Sequence, residues 1–102
     1  MNFYDQERIK EIRENKLVEQ NGKCAACGKY FKYGDKIELA HILPQRKWII
    51  EKYSSEVIHH QMNMKATHSG DCNSDVQMSP NHTELVEAHV KAIRERILEE
   101  KR

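Results

Sequence analysis

The sequence contains no long apolar run and no apolar leader. Hydrophobic residues make up 38% of its 102 residues, charged residues make up 32%, and the mean hydropathy is −0.86. No stretch approaches the ~20 apolar residues that a membrane-spanning helix needs. The first ten residues, MNFYDQERIK, lack the apolar segment of a signal peptide. These absences predict a soluble cytoplasmic protein that does not enter a membrane.

The chain also lacks a strong excess of either charge. Its net charge of +1 excludes the strongly basic surface with which histone-like proteins hold nucleic acid. The charge is unevenly distributed, however, since residues 23–68 carry eight basic and four acidic side chains, a local net charge of +4. This excess is compatible with a surface that faces phosphate groups and equally with an ordinary solvated face.

Cysteine is scarce, and its count is odd. Three cysteines cannot form a closed set of disulfides, and a cytoplasmic location disfavours disulfides in any case. The same chain has six histidines, and its small size allows only a modest hydrophobic core. Reduced thiols, histidines and a small core together indicate a bound metal.

Helices are predicted at both ends of the chain. Residues 1–22 read as a helix with Asp5 as N-cap and with Asn21-Gly22 as its stop, since glycine accepts the left-handed C-cap conformation. Residues 83–102 read as a second helix with Thr83 as N-cap. Its apolar seam consists of Val86, Val90, Ile93 and Ile97, widened by Leu85, Ala92 and Leu98. This seam is expected to pack either on residues 9–17 or on a second copy of the chain.

The middle of the chain is predicted to be a β-hairpin followed by short elements. Residues 30–42 suggest a hairpin that turns at Gly34-Asp35 and ends before Pro44. Residues 47–53 suggest a short helix with Trp48 in the core, and residues 57–58 a brief extended piece. A further helix is expected over residues 72–78, capped by Ser69 or Asp71. We therefore expect a single α+β domain over residues 1–102, with residues 23–80 as its core.

Two short motifs predict a structural zinc site. Cys24-x2-Cys27 supplies two thiolates from one turn, and His68-x3-Cys72 supplies an imidazole and a third thiolate. Cys3His is a common tetrahedral set for structural zinc. The alternative is three unrelated thiols. In a chain with so small a core, such a metal would govern folding.

A second set of residues lies between the two halves of the zinc motif. The segment Glu38-Leu-Ala-His41-Ile-Leu-Pro44 is followed by Asn63 and then by Asn73, directly after the last zinc cysteine. In this order the sequence resembles the HNH endonuclease family over about residues 20–80, and its restriction-enzyme members in particular. The resemblance implies a ββα-metal fold with a structural zinc, flanked here by terminal helices.

The resemblance also implies roles for these residues in hydrolysing DNA phosphodiester bonds. His41 takes the position of the general base, with its ring oriented by a backbone carbonyl near Asn63. Asn63 takes the position that holds the neighbouring loop in shape. Asn73 takes the position of a ligand for one catalytic divalent cation, Mg²⁺ or else Mn²⁺ or Ni²⁺.

One departure from the family pattern concerns that cation. Many HNH sites carry Asp or His immediately before the base, where this chain has Ala40. Glu38 or His60 is a candidate for the missing ligand. Without such a ligand, the site is expected to be slow, to need a softer ion, or to be inactive.

The remaining expectations concern partners. Arg46, Lys47 and Lys65 flank the expected site and are candidates for contacts to double-stranded DNA. Because the basic excess is modest, sequence selection would need a homodimer or a partner domain. The resemblance suggests a bacterial or phage-encoded protein of restriction or phage DNA processing. The alternatives are a decayed HNH-like zinc module that binds DNA or protein, and a zinc-stapled interaction domain that uses its terminal helices.

Overall fold

The computed structural model describes residues 6–102, so the predicted N-cap Asp5 lies outside the described residues. The chain forms five helices, two strands and one 3₁₀ turn in this part. In chain order these are α1 (Gln6–Glu19), β1 (Ile37–His41), α2 (Lys47–Tyr53), α3 (Ser55–Ile58), the 3₁₀ turn (Gln61–Asn63), β2 (Met64–His68), α4 (Asp71–Asp75) and α5 (Thr83–Glu100). The expected α+β class is confirmed.

Helix α1 ends where the sequence predicts. Asn21 and Gly22 both adopt positive φ angles, of 57° and 73°. The Gly22 N–H donates to the Leu17 carbonyl at 2.8 Å, which satisfies one of the free carbonyls at the helix end. The side-chain amide of Gln20, one residue after α1, donates to the Ala66 carbonyl and accepts from the Ala66 N–H, both at 2.9 Å. This clamp attaches the end of α1 to β2.

The sheet is antiparallel and two-stranded, but its strands are not those of the predicted hairpin. β1 pairs with β2, with Ile37 opposite His68 and His41 opposite Met64. The prediction that residues 30–33 pair with residues 37–42 is wrong. Residues 23–30 instead close on themselves through an isolated bridge between Lys23 and Tyr30. The partner strand of β1 comes only after a long intervening segment. The spacing of residues along the sequence therefore does not reveal which strand pairs with β1.

The segment between the strands is helical. The predicted helix over residues 47–53 is confirmed as α2. The expected extended piece at residues 57–58 is wrong, because both residues lie in α3, where the Ser54 hydroxyl accepts from the Val57 N–H at 3.4 Å. Trp48 is 47% exposed rather than in the core, whereas its neighbour Ile49 is fully buried.

The last two helices are placed correctly in sequence but differ in detail. α4 covers residues 71–75 rather than 72–78, and its N-cap is Gly70, without a side-chain cap from Ser69 or Asp71. The N-cap of α5 is His82, not Thr83.

The seam of α5 packs against the segment between the strands. The main core consists of eight buried side chains: Leu43, Ile49, Tyr53, Val57, Ile58, Val86, Val90 and Ile93. Ile97 packs at its edge, but Leu85 and Leu98 are each 59% exposed, and Ala92 is exposed too. The buried part of the seam is therefore covered by the segment between the strands rather than by residues 9–17. Across residues 6–102, no helix is both long and apolar enough to cross a bilayer.

Candidate functional site

The four predicted zinc ligands converge, as the two motifs predict. Cys24 and Cys27 lie in the loop after α1, His68 ends β2, and Cys72 is the second residue of α4. Their ligand atoms all lie within 4.8 Å of one another. Cys27 Sγ lies 3.5 Å and Cys72 Sγ 4.0 Å from His68 Nδ1. Two pairs of side chains, about 40 residues apart in sequence, thus form one cluster.

A tight backbone turn presents the first two thiols. The Gly28 N–H donates to the Cys24 carbonyl at 3.0 Å, and Gly28 has a φ of 74°, which favours glycine. The Ala26 N–H points at Cys24 Sγ at 3.4 Å. The Ala25 N–H donates to the Ala66 carbonyl at 3.1 Å, so the turn is attached to β2.

The cluster fits a tetrahedral zinc ion. With zinc–sulfur bonds of about 2.3 Å and zinc–nitrogen bonds of about 2.0–2.1 Å, adjacent sulfur and nitrogen ligands lie about 3.6 Å apart. The distance of 3.5 Å between Cys27 Sγ and His68 Nδ1 agrees with that edge. All three cysteines are free thiols. Zinc is the ion that a Cys3His set binds most commonly in structural sites.

The pKa values of two of the thiols, Cys24 and Cys72, are shifted in opposite directions. Burial raises the pKa of Cys24, but hydrogen bonds from the backbone of Cys27, His68 and Ala26 outweigh burial and lower that pKa to about 6. Burial and the neighbouring Cys24 and Cys27 raise the pKa of Cys72 to about 11. Three sulfurs this close repel one another as thiolates, and a bound cation would remove this repulsion.

Asp35 holds the histidine ligand from behind, a role that the sequence analysis missed. Its Oδ2 lies 3.2 Å from His68 Nε2 and accepts from the Lys32 N–H at 2.7 Å. Hydrogen bonds to Cys24 and Cys27, and then to Asp35, raise the pKa of His68. In sequence the Gly34-Asp35 pair indicates only a turn, and nothing in its spacing indicates His68 as a partner.

A groove of about 350 Å³ runs along β1 and brings together several predicted site residues. We call it the β1 groove. Glu38, His41 and Asn73 all line it, together with Gln45 and Arg13. The Asn73 side chain donates to Glu38 Oε1 at 3.5 Å. A strand residue from β1 and a helix residue from α4 thereby meet beside the cysteine cluster.

His41 is largely enclosed in this groove. Its Nδ1 accepts from the Gln45 side-chain amide at 3.1 Å, so in the neutral ring the proton is on Nε2, which is buried and has no hydrogen-bond partner among residues 6–102. The His59 ring packs edge-on at 5.5 Å. Burial, and then His59, lowers the pKa of His41 to about 4, which keeps the ring neutral at pH 7. The ring nitrogen Nδ1 thus contacts Gln45 rather than the expected backbone carbonyl near Asn63.

Asn63 is fully buried and joins three segments of backbone. Its Oδ1 accepts from the Leu43 N–H at 2.8 Å and lies 3.0 Å from His89 Nε2. Its Nδ2 donates to the carbonyls of Ile58 at 2.8 Å and Leu43 at 3.2 Å. The Asn63 carbonyl also accepts from the Ile42 N–H at 2.8 Å. These contacts fix the chain immediately after His41.

Glu38 and Asn73 offer oxygen atoms that suit a hard divalent cation. Glu38 Oε2 also lies 3.8 Å from Lys36 Nζ. Ala40 is 1% exposed and contributes no ligand atom. One carboxylate and one amide oxygen, completed by water, are a reasonable set for Mg²⁺ or Mn²⁺, which bind few protein ligands.

His60, the other candidate for that cation, does not line the β1 groove. Its Nδ1 accepts from the Met62 N–H at 3.1 Å, and its Nε2 lies 2.6 Å from Glu100 Oε1. In the described part of the chain, His60 therefore connects the 3₁₀ turn to the end of α5. Its contacts are those of a structural residue.

None of the predicted DNA-contacting residues is among the side chains that line the groove. Arg46 and Lys47 are exposed at the start of α2, directly after Gln45. Lys65 is half-buried in β2, opposite Ala40. Arg13, which the sequence analysis did not consider, does line the groove. Arg13 lies one turn after Ile9, so both side chains lie on one face of α1. This spacing is the sequence feature that could have indicated Arg13.

No family model, curated protein or solved structure matches the chain in the three comparisons with known proteins. The assignment of function therefore depends on the residues of the site and on their arrangement.

Proposed function

We propose that this protein is a metal-dependent DNA endonuclease of the HNH type, which hydrolyses phosphodiester bonds to leave 5′-phosphate and 3′-hydroxyl ends. The observation that carries the proposal is the meeting of Glu38, His41 and Asn73 in the β1 groove. The order β1, β2, α4 with a Cys3His cluster at its centre supports a ββα-metal unit.

In this proposal His41 is the general base. Its ring is neutral at pH 7, and Nδ1 is the nitrogen on the groove side, next to Gln45. A neutral imidazole can accept a proton from water that attacks phosphorus. A pKa of about 4 makes a weak base, but a phosphate bound nearby favours the imidazolium and raises the pKa toward neutrality.

Glu38 and Asn73 would hold one divalent cation, Mg²⁺, Mn²⁺ or Ni²⁺. Such an ion supplies stabilisation of the charge that develops on the phosphate and on the departing 3′ oxygen. Asn73 follows the ligand Cys72 directly, and Glu38 belongs to the strand paired with the strand of His68. The zinc cluster would thus fix the relative positions of both groups, and its role would be structural.

The proposed substrate is double-stranded DNA. Arg46 and Lys47 are exposed at the start of α2, Lys65 lies in β2, and their positive charges can contact DNA phosphates. Phosphate contacts position DNA but carry no sequence information. Sequence selection would then come from a homodimer or from a partner domain.

One observation favours a second candidate function, a zinc module that binds DNA or protein without cleaving it. The position before His41, which supplies a cation ligand in many HNH sites, is Ala40, and its methyl group is buried against the rest of the fold. If Glu38 and Asn73 do not suffice to hold the cation, binding remains and hydrolysis is lost.

The test is cleavage of supercoiled plasmid with Mg²⁺, Mn²⁺ or Ni²⁺ by the wild-type protein, by His41→Ala and by His82→Ala. His82 is exposed outside the groove and serves as a matched histidine control. We expect His41→Ala to slow cleavage by about 10²–10⁴-fold, the usual contribution of a general base, and His82→Ala to leave it unchanged. Plasmid that is bound but left intact with every ion would support the binding module instead.

A further inference from the structure

Helix α1 contributes a positively charged side chain, that of Arg13, to the β1 groove. Ile9 and Arg13 lie one turn apart on α1, and both line the groove that also contains Glu38, His41 and Asn73. The end of α1 is attached to β2 through Gln20 and Ala66. This attachment holds the helix, and with it Arg13, against β2, the strand that pairs with the strand of His41.

The guanidinium group of Arg13 has no protein partner among residues 6–102. Its Nε is buried and forms no hydrogen bond, and none of the described carboxylates pairs with it. The nearest candidate in the groove, Glu38, is engaged by Lys36 at 3.8 Å and by Asn73 at 3.5 Å instead. A buried donor without a partner costs about 1–3 kcal/mol, so such a group calls for an explanation.

The charges of the groove explain which ligand would supply the missing partner. Among residues 6–102, three of the lining side chains are charged, namely Arg13, Lys36 and Glu38, while His41 is neutral at pH 7. Lys36 and Glu38 offset each other, which leaves the positive charge of Arg13 uncompensated within the groove. An anion is therefore the ligand that would pair with Arg13. Arginine remains charged at every physiological pH, and its planar fork matches the oxygens of phosphate.

We propose that Arg13 is a substrate-positioning residue that binds the scissile phosphodiester in the β1 groove. This inference deepens the proposed nuclease function and rests on it for the identity of the anion as a nucleic-acid phosphate. Arg13 would hold a nonbridging oxygen next to His41 and the pair Glu38–Asn73. It would thereby orient the phosphate for attack without itself transferring a proton.

The test uses the His41→Ala protein without a divalent cation, so that the DNA stays uncut during the titration. The side-chain Nε–H signal of Arg13 is followed by NMR during titration with a short double-stranded oligonucleotide and, separately, with inorganic phosphate. We expect the oligonucleotide to shift this signal at concentrations where phosphate alone leaves it unchanged. A response to both at similar concentrations would indicate a general anion site and overturn the assignment to a phosphodiester.

Affinity measurements provide the second arm. In the same protein, Arg13→Ala is expected to weaken oligonucleotide binding about tenfold or more and to lower the salt dependence by about one phosphate contact. Arg13→Lys should keep the salt dependence but recover only part of the affinity, because it lacks the planar fork. Lys10→Ala, on the same helix but outside the β1 groove, is the matched control and should change affinity less than Arg13→Ala. Equal losses for Lys10→Ala and Arg13→Ala would overturn the proposal.

The two proposals fail in different ways. If the wild-type protein cleaves DNA but the Arg13 signal does not move with oligonucleotide, Arg13 is not a phosphate contact and the nuclease function stands. If no ion supports cleavage and the signal moves, Arg13 binds nucleic acid and the nuclease function falls.

Discussion

Asp35 Oδ2 lies 3.2 Å from His68 Nε2, on the ring nitrogen that does not face the cysteines. This contact determines that Nδ1 is the nitrogen presented to Cys27 and Cys72. A carboxylate behind a histidine ligand fixes the tautomer and raises the basicity of the ligand nitrogen. Asp35 is therefore part of the candidate metal centre, although it supplies no ligand atom itself.

Asp35→Asn should weaken zinc binding by about 10–100-fold, the usual effect of removing such a partner. Competition against a zinc chelator measures the change. Asp75→Asn removes an exposed carboxylate from α4 and serves as the control, with no expected effect. Equal zinc affinity of wild type and Asp35→Asn would show that the ion pair has no role in metal binding.

Cys27→Ser should remove most of the folded population at room temperature. The free energy of zinc binding is part of the free energy of folding in small metal-stapled domains. Circular dichroism and the zinc content of the purified protein provide the readouts, and Ser69→Ala, an exposed change next to His68, is the control. A folded, zinc-free Cys27→Ser protein would refute the metal site.

Asn63→Ala should destabilise the protein by about 2–4 kcal/mol, because it leaves the Leu43 N–H and the carbonyls of Ile58 and Leu43 without their partner. Urea unfolding measures the loss. His89→Ala removes only the contact to Asn63 Oδ1 and should cost less. If both variants lose the same stability, the buried amide network is not what holds the loop after β1.

The lowered pKa of His41 predicts how stability depends on pH. The folded value of about 4 lies below the ordinary value of 6.5, so the unfolded chain takes up the proton first on acidification. Well above pH 6.5, His41 is neutral in both the folded and the unfolded chain, so it adds no pH dependence to the free energy of unfolding. It reduces stability by about 2 kcal/mol near pH 5, and the loss grows until the pH reaches about 4.

Urea unfolding of wild type and His41→Asn at about pH 7.5 and about pH 5 measures this contribution, since effects of zinc and of other groups cancel in the double difference. We expect the wild type to lose more stability on acidification than the variant. The same loss in both proteins would mean that the His41 ring is not enclosed as the structure has it.

The sequence predicted the parts of this molecule that depend on short spacings. Cys24-x2-Cys27 and His68-x3-Cys72 each place two ligands close together in sequence, and the Cys3His set they complete is a common one for zinc, so the cluster was predictable from the motifs. The stop of α1 at Asn21 and Gly22 was predictable for the same reason, since a left-handed residue is a local requirement.

The sequence did not predict which distant segments meet. β1 pairs with residues 64–68, where Met64 and Ala66 alternate along the strand and are buried opposite β1. In the sequence, the strand propensity of residues 30–33 conceals this pairing. Likewise Arg13 and Asp35 resemble ordinary surface charges in sequence. Only the packing of α1 against β2, and of the Asp35 turn behind His68, gives them a place in the site.

The most direct test of the account is anomalous diffraction from crystals of the zinc-loaded protein soaked in Mn²⁺. We predict a zinc signal among Cys24, Cys27, His68 and Cys72, and a separate manganese signal bound by Glu38 and Asn73 in the β1 groove. A zinc signal at the cluster with no manganese between Glu38 and Asn73 would contradict the proposed catalytic site.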